Sequence, residues 1–172
     1  MPAVSSKKIL LMRHAKSTQN SGLRDFDRPL NSRGKQDASR MGRYLKELQL
    51  IPDQIFSSPA VRTKSTSQIV TVELELKADI IRWEEDFYFA DTAAYLTAIQ
   101  HAGGQAEVVM TVGHNPMTEQ AVTTLSHAPF QKHMPTAAVV CLETEVDSWA
   151  EVTAGSCKLL WMITPKELNS EF

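Results

Sequence analysis

Apolar residues in this chain come in short runs that stop abruptly at polar, chemistry-bearing residues. Ile9 to Met12 reads as a buried strand, and it ends on Arg13-His14-Ala15-Lys16-Ser17. Val108 to Val112 repeats the pattern and empties into Gly113-His114-Asn115-Pro116. A third run, Ile55-Phe56, is followed by Ser57-Ser58-Pro59. There Ser58 as N-cap and Pro59 at the first helical position predict a helix over Pro59 to Val70, with Arg62 in its opening turn. Elsewhere the apolar period changes to three and four. Ala38, Met41, Leu45 and Leu48 form the core-facing stripe of a helix over Ser32 to Leu48, and a second helix opens at Asp91-Thr92 and closes at Gly103-Gly104. A short helix is expected over Met117 to Leu125 and a strand over Asp79 to Arg82. Further strands are expected near Ala137 to Leu142, Trp149 to Val152 and Lys158 to Ile163, the last two pairing as a hairpin across Thr153-Ala154-Gly155-Ser156. This alternation of strand and helix predicts an α/β fold, a three-layer α/β/α sandwich around a largely parallel central sheet. Ligands of such sheets lie beyond the carboxyl ends of the strands, so Arg13, His14, Arg62 and His114 converge on one crevice.

The chemistry of that set is specific. Two guanidinium groups offer forked donors that match phosphate oxygens and stay charged at neutral pH. A neutral histidine can attack phosphorus through a ring nitrogen, while a second one donates hydrogen bonds to the oxygens on which charge accumulates. The set therefore predicts phosphoryl transfer that needs no metal.

Arg13-His14-Ala15, Ser58-Pro59-Ala60-Val61-Arg62 and Gly113-His114-Asn115-Pro116 together resemble the motifs of the histidine phosphatase superfamily. This is the branch that includes the cofactor-dependent phosphoglycerate mutases, and the chain is most similar to its small SixA-type phosphohistidine phosphatases. The likeness runs through Asp25-Phe26-Asp27-Arg28-Pro29-Leu30-Asn31 to Leu160-Trp161-Met162-Ile163-Thr164-Pro165-Lys166. It implies a phosphoglycerate mutase-like fold, with His14 as the nucleophile that becomes phosphorylated. It further implies that Ser17 and Asn20 contact the phosphoryl group, and that Glu85, in Trp83-Glu84-Glu85-Asp86, is the proton donor with Asp86 as the alternative. Asn115, beside the second histidine, is the remaining candidate for substrate binding. Ala15 stands where the wider family has glycine. No cofactor is implied.

Composition narrows the partners. With 172 residues, 42% of them hydrophobic, the chain is long enough for one well-buried core and too short for two ordinary domains, so 1–172 is expected to form one domain. No twenty-residue apolar run and no apolar secretion segment is present, which predicts a cytoplasmic protein with no membrane role. The net charge of −2 hides an asymmetry, since the first 46 residues carry 11 Lys or Arg against 3 Asp and the rest 7 against 17 Asp or Glu. Most of the basic excess is expected on the polar face of the Ser32 to Leu48 helix, where it can also steer dianionic substrates. The lack of interleaved aromatics and of any zinc-finger, RRM or KH signature argues against nucleic-acid binding. Cys141 and Cys157 read as reduced structural thiols. His101, His127 and His133 match no metal-ligand spacing, and Trp83, Trp149 and Trp161 read as core or sheet-packing residues. The connections between Arg62 and His114 leave no room for a large lid. The expected pocket is therefore open, and the expected partner is a phosphorylated protein carrying phosphohistidine, or a small phosphate ester. The sequence sets no oligomeric state.

Overall fold

A computed structural model of the chain describes residues 6–19, 22–89 and 91–172. Its strands are β1 (Lys7–Arg13), β2 (Gln54–Ser57), β3 (Ile81–Trp83), β4 (Val108–Gly113), β5 (Val139–Thr144) and β6 (Lys158–Ile163). They form one sheet in the order β3-β2-β4-β1-β5-β6. The first four of these are parallel, β5 runs antiparallel to β1, and β6 antiparallel to β5. Side chains alternate across the sheet, so Ile9, Leu11 and Val109 enter one core and Leu10, Met12, Met110 and Val112 the other. The first core lies under α4 (Ala93–Gln100) and α5 (Met117–Leu125), and the second under α1 (Ser32–Glu47) and α2 (Val61–Glu73). Burial on both faces is why these strands read as continuous apolar runs. The architecture is the expected three-layer α/β/α sandwich around a largely parallel sheet.

Register sets the site. Arg13 lies opposite Gly113, and Ser57 opposite both Val112 and Trp83, so the four parallel strands end at nearly one level. Gly113 is required there, because a Cβ at this position would collide with the Tyr95 hydroxyl. Tyr95 is fully buried and stacks on Phe87 of the short helix α3 (Asp86–Phe89) at 4.2 Å. Helix α1 starts where Asn31 Oδ1 accepts from the Gly34 amide at 2.8 Å. A Cβ on Gly34 would run into the Lys16 carbonyl, so α1 packs directly on the loop that follows β1.

Several expectations need correction. Helix α2 begins at Val61, with Ala60 at the N-cap and no side-chain cap; Ser58 lies two residues earlier, where its Oγ accepts from the Ala60 amide and meets His114. Asp79 lies in a single 3₁₀ turn, and the strand after it is Ile81–Trp83. Trp149–Glu151 is also a 3₁₀ turn and forms no hairpin with β6, which pairs with β5 instead. Trp149 is buried and donates Nε1–H to the Ala106 carbonyl at 2.8 Å, so its apolar bulk serves the core and not a strand. Strand β5 starts at Val139, since Ala137 has φ of 62° and breaks the extended run. Leu48 caps α1 on the surface, outside the core stripe.

The cysteines and the basic helix match their expected places. Cys141 and Cys157 are buried and unbonded to each other. Cations of α1 meet carboxylates of α1, of α2 and of the turn after α2 in Arg33–Asp37, Arg43–Glu73 and Lys46–Glu75 pairs, so much of the basic face is neutralised locally. No helix among the described residues is long and apolar enough to cross a membrane.

Candidate functional site

At the carboxyl edge of the parallel strands, the rings of His14 and His114 face each other with centroids 5.3 Å apart. Both residues are buried, His14 to 7% exposure and His114 to 5%. The His14 backbone N–H donates a hydrogen bond to the Gly113 carbonyl at 2.9 Å, which ties the end of β1 to the end of β4. Its Nδ1 lies 2.7 Å from the Ala15 carbonyl. A carbonyl only accepts, so Nδ1 carries the hydrogen and Nε2 keeps its lone pair. Burial first, and then the charges of Arg62, Arg13 and Arg28, push the imidazolium pKa down to about 4. His14 is thus neutral at pH 7, in one tautomer, with a nucleophilic nitrogen.

His114 is fixed differently. Its amide donates to Tyr95 Oη at 3.3 Å, and its carbonyl accepts from Thr118 N and Oγ1. The ring Nε2 lies 2.8 Å from Ser58 Oγ. Ser58 Oγ already accepts from the Ala60 amide at 3.3 Å, and among the described residues its own hydrogen has only Nε2 within reach. Ser58 therefore donates to Nε2, and the ring hydrogen sits on Nδ1, a buried atom with no partner. Burial, the neighbouring His14 ring and Arg62 push the pKa of His114 down to about 3.

The arginines complete the pocket. Arg13 Nη1 donates to the Met134 carbonyl at 3.0 Å. Arg62, buried on the first turn of α2, donates Nη1 to the Asp25 carbonyl at 2.7 Å and Nη2 to Asp25 Oδ2 at 2.9 Å. Buried side-chain donors without partners among the described residues include Arg13 Nε, Arg62 Nε and His114 Nδ1. Three unpaired N–H groups around two permanent positive charges are costly by themselves and are matched by an anion with several acceptor oxygens.

Sequence reasoning missed Asp25, Tyr88 and the true place of Ser58. Asp25 Oδ1 accepts from Arg28 Nη2 at 2.8 Å, and Oδ2 accepts from both Arg62 and Tyr88 Oη, the latter at 2.8 Å. Burial works against its ionisation, but the bonds from Tyr88, Arg28 and Arg62 outweigh it and hold the carboxyl well below the usual carboxylate range. Tyr88 also sets its ring edge toward His114, with centroids 5.5 Å apart. The available signal was the Asp25-to-Pro29 stretch, whose charges a sequence pattern reads as an ordinary polar loop.

Other expected site residues divide. Ser17 is buried beside the cluster, and its Oγ accepts from Arg28 at 2.8 Å, which links it through Arg28 to Asp25. Asn20 lies outside the described residues. Asn115 donates Nδ2 to Glu119 Oε1 at 2.7 Å and to the Met134 carbonyl at 2.9 Å, so its amide braces the loop that Arg13 leans on. Glu85 is exposed at the rim, lining a cleft with Asp25, Tyr88 and Phe89. Asp86 faces a separate groove with Arg82 and His101. His133 points outward and pairs with Glu119 at 3.0 Å. Among the described residues no three His, Cys, Asp or Glu side chains are grouped to hold a metal ion.

Comparison with known proteins agrees with the motifs. The sequence profile of the histidine phosphatase superfamily (branch 1) matches residues 9–85. An uncharacterised chloroplastic protein of Arabidopsis thaliana is 30% identical over 174 residues, covering 93% of this chain and 78% of the relative. An uncharacterised protein of Mycobacterium tuberculosis is 26% identical over 90% of this chain and 100% of its own. Among solved structures, a candidate phosphohistidine phosphatase SixA from Agrobacterium tumefaciens has a TM-score of 0.76 at 28% identity, covering 92% of this chain and 98% of that one. The protein histidine phosphatase SixA complexed with tungstate has a TM-score of 0.80 at 20% identity, over 94% and 99% of the two chains, and so shares the fold.

Proposed function

The chain belongs to branch 1 of the histidine phosphatase superfamily, SixA-type, and from that premise we propose that it hydrolyses phosphohistidine in proteins, or related phosphomonoesters, through a phosphohistidine formed on its own His14. The observation that carries this reading is the state of His14: neutral, with Nδ1–H committed to the Ala15 carbonyl and Nε2 free, in a buried pocket beside two arginines. In this reading residues 1–172 act as one catalytic domain.

In the first step the Nε2 lone pair of His14 forms an N–P bond as the bond from phosphorus to the leaving group breaks, and that electron pair stays on the departing atom. Arg13 and Arg62 hold the phosphoryl oxygens, and Nδ1–H of His114 donates to the oxygen on which charge grows. Ser58 keeps His114 in the donating tautomer, and Asp25 orients Arg62 through its two bonds to the guanidinium. A phosphohistidine leaves as neutral imidazole, its far nitrogen already protonated. An alkoxide needs a proton, which Glu85 supplies. In the second step water attacks phosphorus, the bond to His14 Nε2 breaks, and the electron pair returns to that nitrogen. Dihydrogen phosphate forms and loses its proton to the solvent. Where Glu85 gave a proton in the first step, it regains one from the water in the second. Asp25 is excluded as the acid because its carboxyl is held ionised. Asn115 acts by bracing the Met134 loop.

Rapid quenching of turnover, followed by intact mass and peptide mapping, tests the intermediate. The expected adduct is a phosphoramidate on His14, labile in acid and persistent in base. Phosphate on a serine or cysteine, or no covalent adduct with turnover intact, overturns the mechanism.

A further inference from the structure

The two arginines of the pocket are steadied by different means. Arg62 has a carboxylate in direct contact, Asp25 Oδ2 at 2.9 Å. Arg13 makes one side-chain hydrogen bond among the described residues, from Nη1 to the Met134 carbonyl at 3.0 Å, and its buried Nε has no partner. The place of this guanidinium therefore depends on how firmly the Met134 carbonyl is itself held. Met134 is fully buried, yet residues 127–138, between α5 and β5, form neither helix nor strand, so regular backbone pairing does not hold it.

The hold comes from Glu119, in the first turn of α5. Its Oε1 accepts from the Met134 amide at 2.8 Å and from Asn115 Nδ2 at 2.7 Å, and lies 3.0 Å from His133 Nδ1. Asn115 Nδ2 gives its second hydrogen to the Met134 carbonyl at 2.9 Å, the same oxygen that receives Arg13. The Asn115 amide has no alternative orientation, since turning it over would set its oxygen against a carboxylate and a carbonyl, neither of which offers a hydrogen. Its Oδ1 is left buried and unpaired as a result. Met134 is thus gripped at its N–H by Glu119 and at its C=O by Asn115. Charge points the same way. Burial opposes the Arg13 charge, and Glu119 is the carboxylate that offsets it, against further repulsion from Arg62.

We infer that Glu119 is the positioning residue of Arg13: it fixes the Met134 carbonyl through two hydrogen bonds, one from the Met134 amide and one by way of Asn115, and so sets where the guanidinium meets the phosphoryl oxygens. Glu119 itself touches no reacting atom. The inference rests on the reading of Arg13 as a holder of those oxygens, and it extends the bracing by Asn115 to a carboxylate that neither motif nor spacing marks.

Orthovanadate, which mimics the phosphoryl group and binds without turnover, tests this by titration calorimetry in a double-mutant cycle. Glu119→Ala in the otherwise native chain should weaken vanadate binding about 10–100-fold, the worth of a hydrogen bond to a charged group. In an Arg13→Ala background the same change should cost less than about 2-fold, because the group it positions is gone. Glu119→Gln keeps an acceptor for the Met134 amide and Asn115, and should recover affinity to within about 3-fold of the native chain. Equal losses in the two backgrounds would make Glu119 a general structural support and overturn the inference, as would a glutamine variant no better than alanine. If the alanine variant does not fold, Glu119→Asp, whose shorter side chain draws the carboxylate back from the Met134 amide, serves in the same cycle. Vanadate affinity unchanged by Arg13→Ala overturns the placement of Arg13 and this inference with it, and leaves the His14 reading to the quench experiment. A native chain that binds no vanadate overturns the phosphoryl pocket as a whole.

Discussion

The two halves of the proposed site are built on opposite principles. Around phosphorus, His14, Arg62 and His114 are each at most 7% exposed; the His14 ring is held by the carbonyl of the next residue, and Arg62 and His114 by partners on other segments. Around the leaving group, Glu85 is exposed and Phe89 is 80% exposed. A buried dipole or charge stabilises a transition state only if it is already oriented, because reorganising it during the reaction would cost what it contributes. Aromatic contact is short-ranged and tolerant of angle, so it can sit on an open surface. In the proposed mechanism the first half holds the nucleophile and the phosphoryl oxygens and the second holds the proton donor, and substitutions should separate the two.

The largest effect is expected within the buried half. His14→Ala should lower turnover of every substrate by about 10⁴-fold or more, since no other group takes over as nucleophile. Circular dichroism and thermal melting should show a folded protein, and activity above that residual level would break the comparison.

Glu85→Gln, in the exposed half, should discriminate. Hydrolysis of an alkyl phosphate should slow by about 10²–10⁴-fold, the usual worth of a positioned acid, while a phosphohistidine peptide loses about tenfold or less. Equal losses on both substrates would make Glu85 an electrostatic or structural residue, and no loss on either would remove it from the mechanism.

Ser58→Ala tests whether orientation matters in the buried half. Losing the bond to His114 Nε2 frees the other tautomer and should cost about 10–100-fold in kcat with little change in KM, the worth of one buried hydrogen bond. Imidazole ¹⁵N shifts should move from the Nδ1–H form toward a mixture, and Ser58→Thr should restore both. An unchanged spectrum would show that Ser58 does not set the tautomer.

Acidity should act on the buried half at unusually low pH. With His14 at about 4 and His114 at about 3, kcat/KM should stay flat down to about pH 5 and fall below about pH 4. Stability responds over a different window. An unfolded histidine takes up its proton near pH 6.5, so between about pH 6.5 and 4 the unfolded chain binds more protons and Tm should decline as pH falls. His14→Ala should make that decline shallower.

How much of this was legible in the sequence depends on the reach of each feature. Strands β1 and β4, the apolar stripe of α1, and the Arg13, His14, Arg62 and His114 set were readable, because periodicity and strand ends are written in adjacent residues. The failures are of one kind. Ser58 carries a sound local signal for a helix cap, yet its hydroxyl goes to His114, 56 positions away. Asp25 reads as part of a polar loop, yet it meets Arg62 across 37 positions and Tyr88 across 63. Trp149 suits a strand by composition, but burial against Ala106 placed it in a turn. Glu85 and Asp86 are adjacent carboxylates, and only the start of α3 sends them into different cavities. Local pattern thus determined the layers and the residue set proposed to bind the anion. Tertiary structure decided tautomer, charge pairing and the aromatic cleft, because each depends on side chains that meet only when distant segments pack.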